Sequence, residues 1–328
     1  MKSIIVTGAT GFIGSHFVSK HAKEFDNIHA IGRNNLASMT ALAKDSQAIV
    51  HIAYDSSDYQ GNLQLLKQII ALCLQYKLKL VFTSSMVVYD QQLAGLVNED
   101  SAYSTLRDPY TIVKQESERL IDAAVAKGLH AIILQPAVVY GLYGNWTLHA
   151  AKSVASGKLI LPKSGSTICN AVHVDDVADA IFLATTNEGV TSGKFIINGK
   201  PAVTWKEFYE FHQFLPGNGF TVEELPGTNR YSDKFHEKLI YSLLFTSLGF
   251  TMLKIGMPIL KRLLNKKKGS AGLDEMIAQG KALPAFVPKG MNRVYHSSRF
   301  TLSIDKAKKI LRFNPKHELA SFANESRA

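Results

Sequence analysis

The stretch Ile4-Ile5-Val6-Thr7-Gly8-Ala9-Thr10-Gly11-Phe12-Ile13-Gly14 decides the fold of this chain, because it joins a buried strand to a helix through three glycines at fixed spacing. Ile4 to Thr7 is a run of apolar or β-branched residues of the kind buried on both faces of a parallel sheet. Gly8 permits backbone angles closed to other residues, Gly11 lets a pyrophosphate approach the main chain, and Gly14 lets the next helix pack tightly on the strand. Free amides and the positive dipole end of that helix favour phosphate. Three glycines alone also fit a plain tight turn. Placed after an apolar strand and before the helical pattern Phe12, Ile13, His16, Phe17, they read as a dinucleotide site.

Outward from this turn, short apolar runs alternate with amphipathic helical patterns. A helix to about Phe25 leads to a strand Ile28 to Ile31, then Gly32 and Arg33, and a strand Ala48 to Ala53. A helix with Leu63, Leu66, Ile69, Ile70, Cys73 and Leu74 on one face precedes the strand Leu78 to Thr83. A helix from Tyr110 to about Ala126 feeds the strand Ala131 to Gln135. This order predicts βαβ units and a Rossmann-type α/β fold, a doubly wound parallel sheet with a smaller C-terminal substrate-binding lobe. Only one short helix fits between Arg33 and Ala48, so the third strand of a complete unit is expected to be missing. Past Pro136 come a strand near Val172, a helix Val177 to Ala184, a strand Lys194 to Asn198 and a helix from Trp205 to about Leu215. The expected division is a dinucleotide-binding domain over 1–165, with sheet contributions from about 166–200, and mainly a substrate lobe over 201–328.

Bulk properties narrow the function classes. The 328 residues, 46% hydrophobic, can bury a sizeable core. The net charge of +10 is concentrated, with six basic residues and no acid between Lys254 and Lys268, beside an apolar segment; this argues against a nucleic-acid-binding face. Cys73 and Cys169 are far apart in segments that read as buried, so neither a disulfide framework nor a metal site is indicated, and a reducing, cytoplasmic location fits. Lys2 is followed at once by the first strand, with no apolar stretch to act as an export signal.

Tyr110 and Lys114 stand at i and i+4 on one helix face, where an ammonium would lower the phenol from its usual ~10 towards the range of a general acid or base. Thr83, Ser84 and Ser85 end the preceding strand, at the sheet edge where ligands of open parallel sheets bind. A Tyr and Lys four apart is commonplace on a solvated face; with the glycine turn and serine cluster in the same chain it reads as catalytic. His51 reads as a satisfied core histidine. His173 with Asp175 and Asp176 has poor metal spacing, and Asp175 or Asp176 is expected to cap the following helix.

With these residues in place the chain resembles the extended short-chain dehydrogenases/reductases, the group of nucleotide-sugar epimerases, dihydroflavonol reductases and 3β-hydroxysteroid dehydrogenases. TGATGFIG, FTSSMVVY, PYTIVKQESE, QPAVVYG, HVDDVA and SIDKAKKILRFNP carry the resemblance nearly end to end. It implies that Ser85 positions a substrate carbonyl, Tyr110 transfers a proton, and Lys114 holds the nicotinamide ribose and activates the tyrosine, with Glu118 structural. It implies a cofactor along Gly8, Thr10, Gly11, Phe12, Ile13, Gly14, Arg33, Ile52, Ala53, Thr83, Pro136 and Val139 as well as Tyr110 and Lys114. Gln135 stands where the group usually has Arg, which questions a diphosphate contact or an ion pair, and Arg312 stands where it usually has Gly.

The end of the second strand reads Gly32, Arg33, Asn34 without an acid, which predicts NADP(H) over NAD, since a guanidinium pairs with a 2′-phosphate; a solvated loop arginine is the bland alternative. Leu239 to Leu253 is a run of fifteen uncharged, mainly apolar positions, too short to span a bilayer, followed by the basic run to Lys268. It fits a core helix, a substrate lid, or a peripheral contact with the inner face of an anionic membrane. The pattern GKFIINGKPAVTWKEF, followed by this apolar region and then SIDKAKKIL, resembles most closely the 3β-hydroxysteroid dehydrogenase-like branch, which implies a hydrophobic, sterol- or lipid-like small-molecule substrate. The main expectation is hydride transfer between the nicotinamide and a secondary alcohol or ketone. A nucleotide-sugar epimerase or dehydratase with retained NAD and a non-catalytic cofactor-binding or membrane-associated protein stand as alternatives, and a homodimer stays open.

Overall fold

Side chains that alternate along buried strands build two apolar layers, one on each side of a single sheet. The computed structural model describes residues 3–106, 108–200, 202–213, 219–226, 285–288 and 291–325. Ile4, Val6, Val50, Val81, Ile132 and Leu134 face one layer, and Ile5, Ile49, Leu80, Phe82 and Ile133 face the other. The six strands are β1 (Ser3–Thr7), β2 (Asn27–Ile31), β3 (Ala48–His51), β4 (Lys79–Thr83), β5 (Ala131–Pro136) and β6 (Ser192–Ile197), in the order β6-β5-β4-β3-β1-β2. All neighbours run parallel. Parallel strands buried on both faces explain why these runs read as continuously apolar.

Helices cover the two faces. α1 (Phe12–His21) packs on one side through Phe17, and α2 (Met39–Ala43), α3 (Tyr59–Tyr76) and α4 (Pro109–Val125) lie on the other with Leu66, Ile69, Cys73 and Ile121 inward. Leu74, expected on the inward face of α3, is 36% exposed instead. α5 (Asn145–Val154), α6 (Val174–Thr186) and α7 (Trp205–Phe211) follow. α6 returns to lie against α1.

The strand order reverses between β1 and β3, because the chain leaves β1 to one side and resumes on the other. That switch point opens a crevice at the carboxyl ends of the strands, where ligands of doubly wound sheets bind. Among the described residues no strand pairs with the outer edge of β2, so the expected third strand is absent there. β3 ends at His51, two residues earlier than the apolar run suggests; Ile52 then lines the crevice and Ala53 lies against Gly8. The segment 239–268 lies outside the described residues; among those described, no helix is long and apolar enough to cross a membrane.

The C-terminal part is threaded back into the N-terminal part. Arg299–Leu302 pairs in parallel with Ala94–Val97, Thr221–Glu224 with Lys158–Leu161, and Ala171–His173 with Val138–Tyr140. Trp205 anchors this region: its indole donates to Tyr295 O at 2.9 Å and stacks on His296 at 3.8 Å between ring centroids. Arg312, which ends the helical turn Ala307–Leu311, has a left-handed φ of 60°, the conformation in which a glycine is at ease.

Candidate active site

The glycine turn is tight for a countable reason. Gly8 has φ +78°, and a Cβ there would lie 2.7 Å from Ala53 N; a Cβ on Gly14 would lie 2.0 Å from Gly8 O. At Gly11 the nearest atom to such a Cβ is Gly8 O at 3.3 Å, so this position is open by comparison. Gly11 begins α1 and no side chain caps that end. Main-chain amides and the helix dipole are thereby left for an anion, and the turn fits a dinucleotide pyrophosphate. Thr10 lies exposed in the turn, and Ile52 N donates to Thr7 O at 3.1 Å, which seats Ile52 and Ala53 beside Gly8.

A cleft of about 390 Å³ opens next to this turn. Its walls bring together Phe12, Ile13, Ile52, Thr83, Ser85, Tyr110, Lys114, Pro136 and Val139 from the expected set. Gly8, Thr10, Gly11, Gly14 and Ala53 lie at the adjoining turn and outside these walls. Residues that the sequence reading missed complete the cleft: Tyr54, Met86, Val87, Val138, Trp146 and Tyr295. Tyr54 directly follows Ala53, so its neighbourhood was within reach of the sequence. Tyr295 comes from far along the chain and carried no signal.

Local structure aims the reacting groups. Asp108 caps α4 by accepting from Tyr110 N at 3.1 Å and Thr111 N at 3.2 Å, and Pro109 occupies the first turn, so Tyr110 sits at the start of the helix. Ser85 caps the short turn Met86–Val88 at the end of β4. Lys114 is buried, and its Nζ donates to Thr83 O at 2.8 Å. Burial pushes this ammonium down to about 8, with Glu118 opposing. Here one expectation is corrected. The Tyr110 phenol is raised above its ordinary value, because burial outweighs the Ser85 hydroxyl that pulls it down, and Asp108 raises it further. The neighbouring ammonium does not reverse this in the free protein.

One turn beyond Lys114, Glu118 is fully buried and fixes α4 to the sheet. It accepts from Ser84 Oγ at 2.5 Å, from Gln135 Nε2 at 3.0 and 3.1 Å, and from the Tyr103 hydroxyl. Lys194 Nζ on β6 supplies its counter-charge at 3.2 Å. Gln135 is wholly buried, receives the Tyr89 hydroxyl at 2.6 Å and is not among the cleft walls. The departure at 135 therefore concerns an ion pair, which Lys194 makes from the neighbouring strand.

The histidine readings divide. His51 is buried and pairs with Thr7 Oγ1 at 2.6 Å, a satisfied core residue. The α6 cap is His173, whose Nδ1 accepts from Asp175 N at 3.2 Å, and neither Asp175 nor Asp176 performs it. Asp175 instead meets His16 at 2.7 Å, and Asp176 holds His317 at 2.9 Å. His317 joins His173 and Asp175 so that ligand atoms of all three lie within 4.8 Å, a grouping that sequence spacing hid.

Arg33 begins the turn after β2; its side chain lies outside the described residues. Asn35 closes that turn, accepting from Gly32 N at 2.7 Å and donating to Ala30 O at 3.0 Å.

A family model described as the NAD dependent epimerase/dehydratase family matches residues 4–198, which hold the glycine turn, the serine strand and the Tyr-Lys helix. The chain belongs to that family. Its description makes this an NAD-dependent enzyme family, and solved structures agree in fold. MoeE5 in complex with UDP-glucose and NAD is 19% identical, with a TM-score of 0.67 over 99% of this chain and 97% of that one. UDP-N-acetylglucosamine 4-epimerase from Bacillus cereus is 16% identical, with a TM-score of 0.64 over 100% and 96%. UDP-glucuronic acid 4-epimerase from Bacillus cereus, in complex with UDP-glucuronic acid and NAD, is 18% identical, with a TM-score of 0.66 over 99% and 98%. No curated protein matches the sequence.

Proposed function

We propose that this family member is an NAD(P)-dependent oxidoreductase that interconverts a secondary alcohol and a ketone. The observation that carries the reading is that Ser85, Tyr110 and Lys114 line one cleft with the first residues of the glycine-turn helix. The glycine turn would hold the pyrophosphate, and Lys114 with Thr83 the ribose side. When bound, the nicotinamide supplies or takes up the hydride. Ser85 holds the substrate oxygen, Tyr110 gives or takes its proton, and the Lys114 charge favours the phenolate during that exchange. The apolar cleft walls keep water from the reacting carbon.

For the substrate, a nucleotide sugar with retained NAD has the stronger support, because the family description names NAD and two of the neighbours named above are complexes with a UDP-sugar and NAD. The second reading, a sterol- or lipid-like alcohol or ketone in the 3β-hydroxysteroid dehydrogenase-like manner, draws on the cleft walls Met86, Val87, Val138, Trp146 and Tyr295. Arg33 and the lack of acid beside it support NADP(H) for that reading. Two measurements separate them: the nucleotide released from purified protein, and a screen of UDP-sugars, sterols and β-keto lipids followed by absorbance of the reduced nicotinamide. Tyr110→Phe should lower turnover ~10²–10⁴-fold and spare nucleotide affinity. Unchanged turnover would remove Tyr110 from the chemistry.

A further inference from the structure

The surroundings of Lys114 are unusual for a buried cation. Its Nζ has one hydrogen-bond acceptor, Thr83 O, and among the described residues no carboxylate pairs with it. Three aromatic faces surround it: Phe82 at 5.0 Å from the ring centroid, Tyr54 at 5.1 Å and Tyr110 at 5.7 Å. Tyr54 and Tyr110 also meet edge to face, 5.0 Å apart.

The charged and titratable groups facing this ammonium can be taken element by element. On α4 they are Tyr110 and Glu118, and Glu118 is already engaged by Ser84, Gln135, Tyr103 and Lys194. On β3 it is His51, pushed down to about 3 by burial and by Lys114, and hence neutral. β4 offers only the Thr83 carbonyl and the Phe82 ring. After β3 comes Tyr54, whose phenol is pushed up by burial and stays neutral. Among the described residues the buried Tyr54 hydroxyl has no hydrogen-bond partner, and it is the ring that meets the charge. A cation desolvated against aromatic faces gains more from them than an exposed one does.

We propose that Tyr54 is a positioning residue that, with Phe82, boxes the Lys114 ammonium and keeps it charged inside the dry cleft. Glu118, on the same helix, favours the charge electrostatically but makes no ion pair with it among the described residues, and the aromatic faces take the place of a paired counter-ion. The consequence for function rests on the oxidoreductase reading above, in which the charged lysine serves cofactor and phenol.

The test is direct titration of the lysine in the free protein. Full-length protein labelled with ¹⁵N-lysine is followed by NMR from about pH 6 to pH 10, and Lys114 is assigned by its loss in Lys114→Met. Tyr54→Phe keeps the ring and should titrate as the wild type. Tyr54→Leu keeps an apolar wall without a π face, and Lys114 should titrate about one pH unit lower, a tenfold change in proton affinity. Phe82→Leu should shift it in the same direction, which gives a second measurement if Tyr54→Leu does not fold. A Leu variant that titrates as the wild type or higher overturns the proposal, as does Tyr54→Phe shifting as far as Tyr54→Leu. NADPH fluorescence titration keeps the two readings apart: Lys114→Met binding NADPH as tightly as the wild type would remove Lys114 from the cofactor site and leave the box intact.

Discussion

Lowering the pH from 7 to 5 should cost this protein much of its folding free energy, through three imidazoles that are enclosed in their neutral form. Burial pushes His51 from 6.5 to about 3, His212 to about 4 and His296 to about 3. Two of the rings, His212 and His296, have partners at both nitrogens without an added proton, and His51 Nδ1 pairs with Thr7 Oγ1. In His212, Nδ1 donates to Phe208 O at 2.6 Å and Nε2 faces Thr147 Oγ1 at 3.2 Å; in His296, Nδ1 donates to Asn292 O at 2.5 Å and Nε2 faces the Tyr209 hydroxyl at 2.8 Å. As pH falls below 6.5 the unfolded chain takes up protons that the folded chain refuses, so stability drops until the native rings titrate near 3 to 4. Between pH 7 and pH 5 each ring accounts for about 2 kcal/mol, and the three for about 6 kcal/mol, against a typical total of ~5–15 kcal/mol. Urea unfolding at both pH values measures the difference, and His212→Gln should reduce it by about 2 kcal/mol. A difference below about 2 kcal/mol between the two pH values in the wild type would refute the reasoning.

Three further outcomes follow from the geometry. Gly14→Ala puts a methyl 2.0 Å from Gly8 O, and should lower stability by about 1–3 kcal/mol and abolish binding of whichever reduced nicotinamide nucleotide, NADH or NADPH, the wild type takes; wild-type affinity by fluorescence would contradict the tight approach. Lys194→Met leaves Glu118 buried without its cation and should cost about 3 kcal/mol in urea unfolding, most of it restored by adding Gln135→Arg; a double variant no more stable than the single one would sink the ion-pair exchange. Arg33→Ser should weaken NADPH binding relative to NADH, and equal affinities in the wild type would dismiss the arginine argument.

The sheet was legible in the sequence because parallel strands buried on both faces must be continuously apolar, as Ile4–Thr7 and Ala131–Leu134 are. The cofactor turn was legible because steric limits leave only glycine at positions 8 and 14. What stayed hidden was assembled in three dimensions. Glu118 gains its cation from Lys194, 76 residues on, and His317 approaches His173 from the far end of the chain, and no local pattern encodes either contact. The raised Tyr110 phenol was missed because residue spacing reveals a neighbouring charge but not how dry the site is.

The end of the sheet at β2 has a consequence for how this chain could change partners among nucleotides. Among the described residues no further strand lies outside it, and the strand tip carries a six-residue turn, Arg33–Ser38, clasped to it by the side-chain amide of Asn35, at the end of the crevice where the proposed cofactor would place its adenosine. Such a turn can be exchanged like a cassette, since among its described side chains Leu36 alone packs on an apolar layer. Selection for one phosphate more or fewer can then act on a handful of surface positions, while the reactive half of the cleft keeps its geometry.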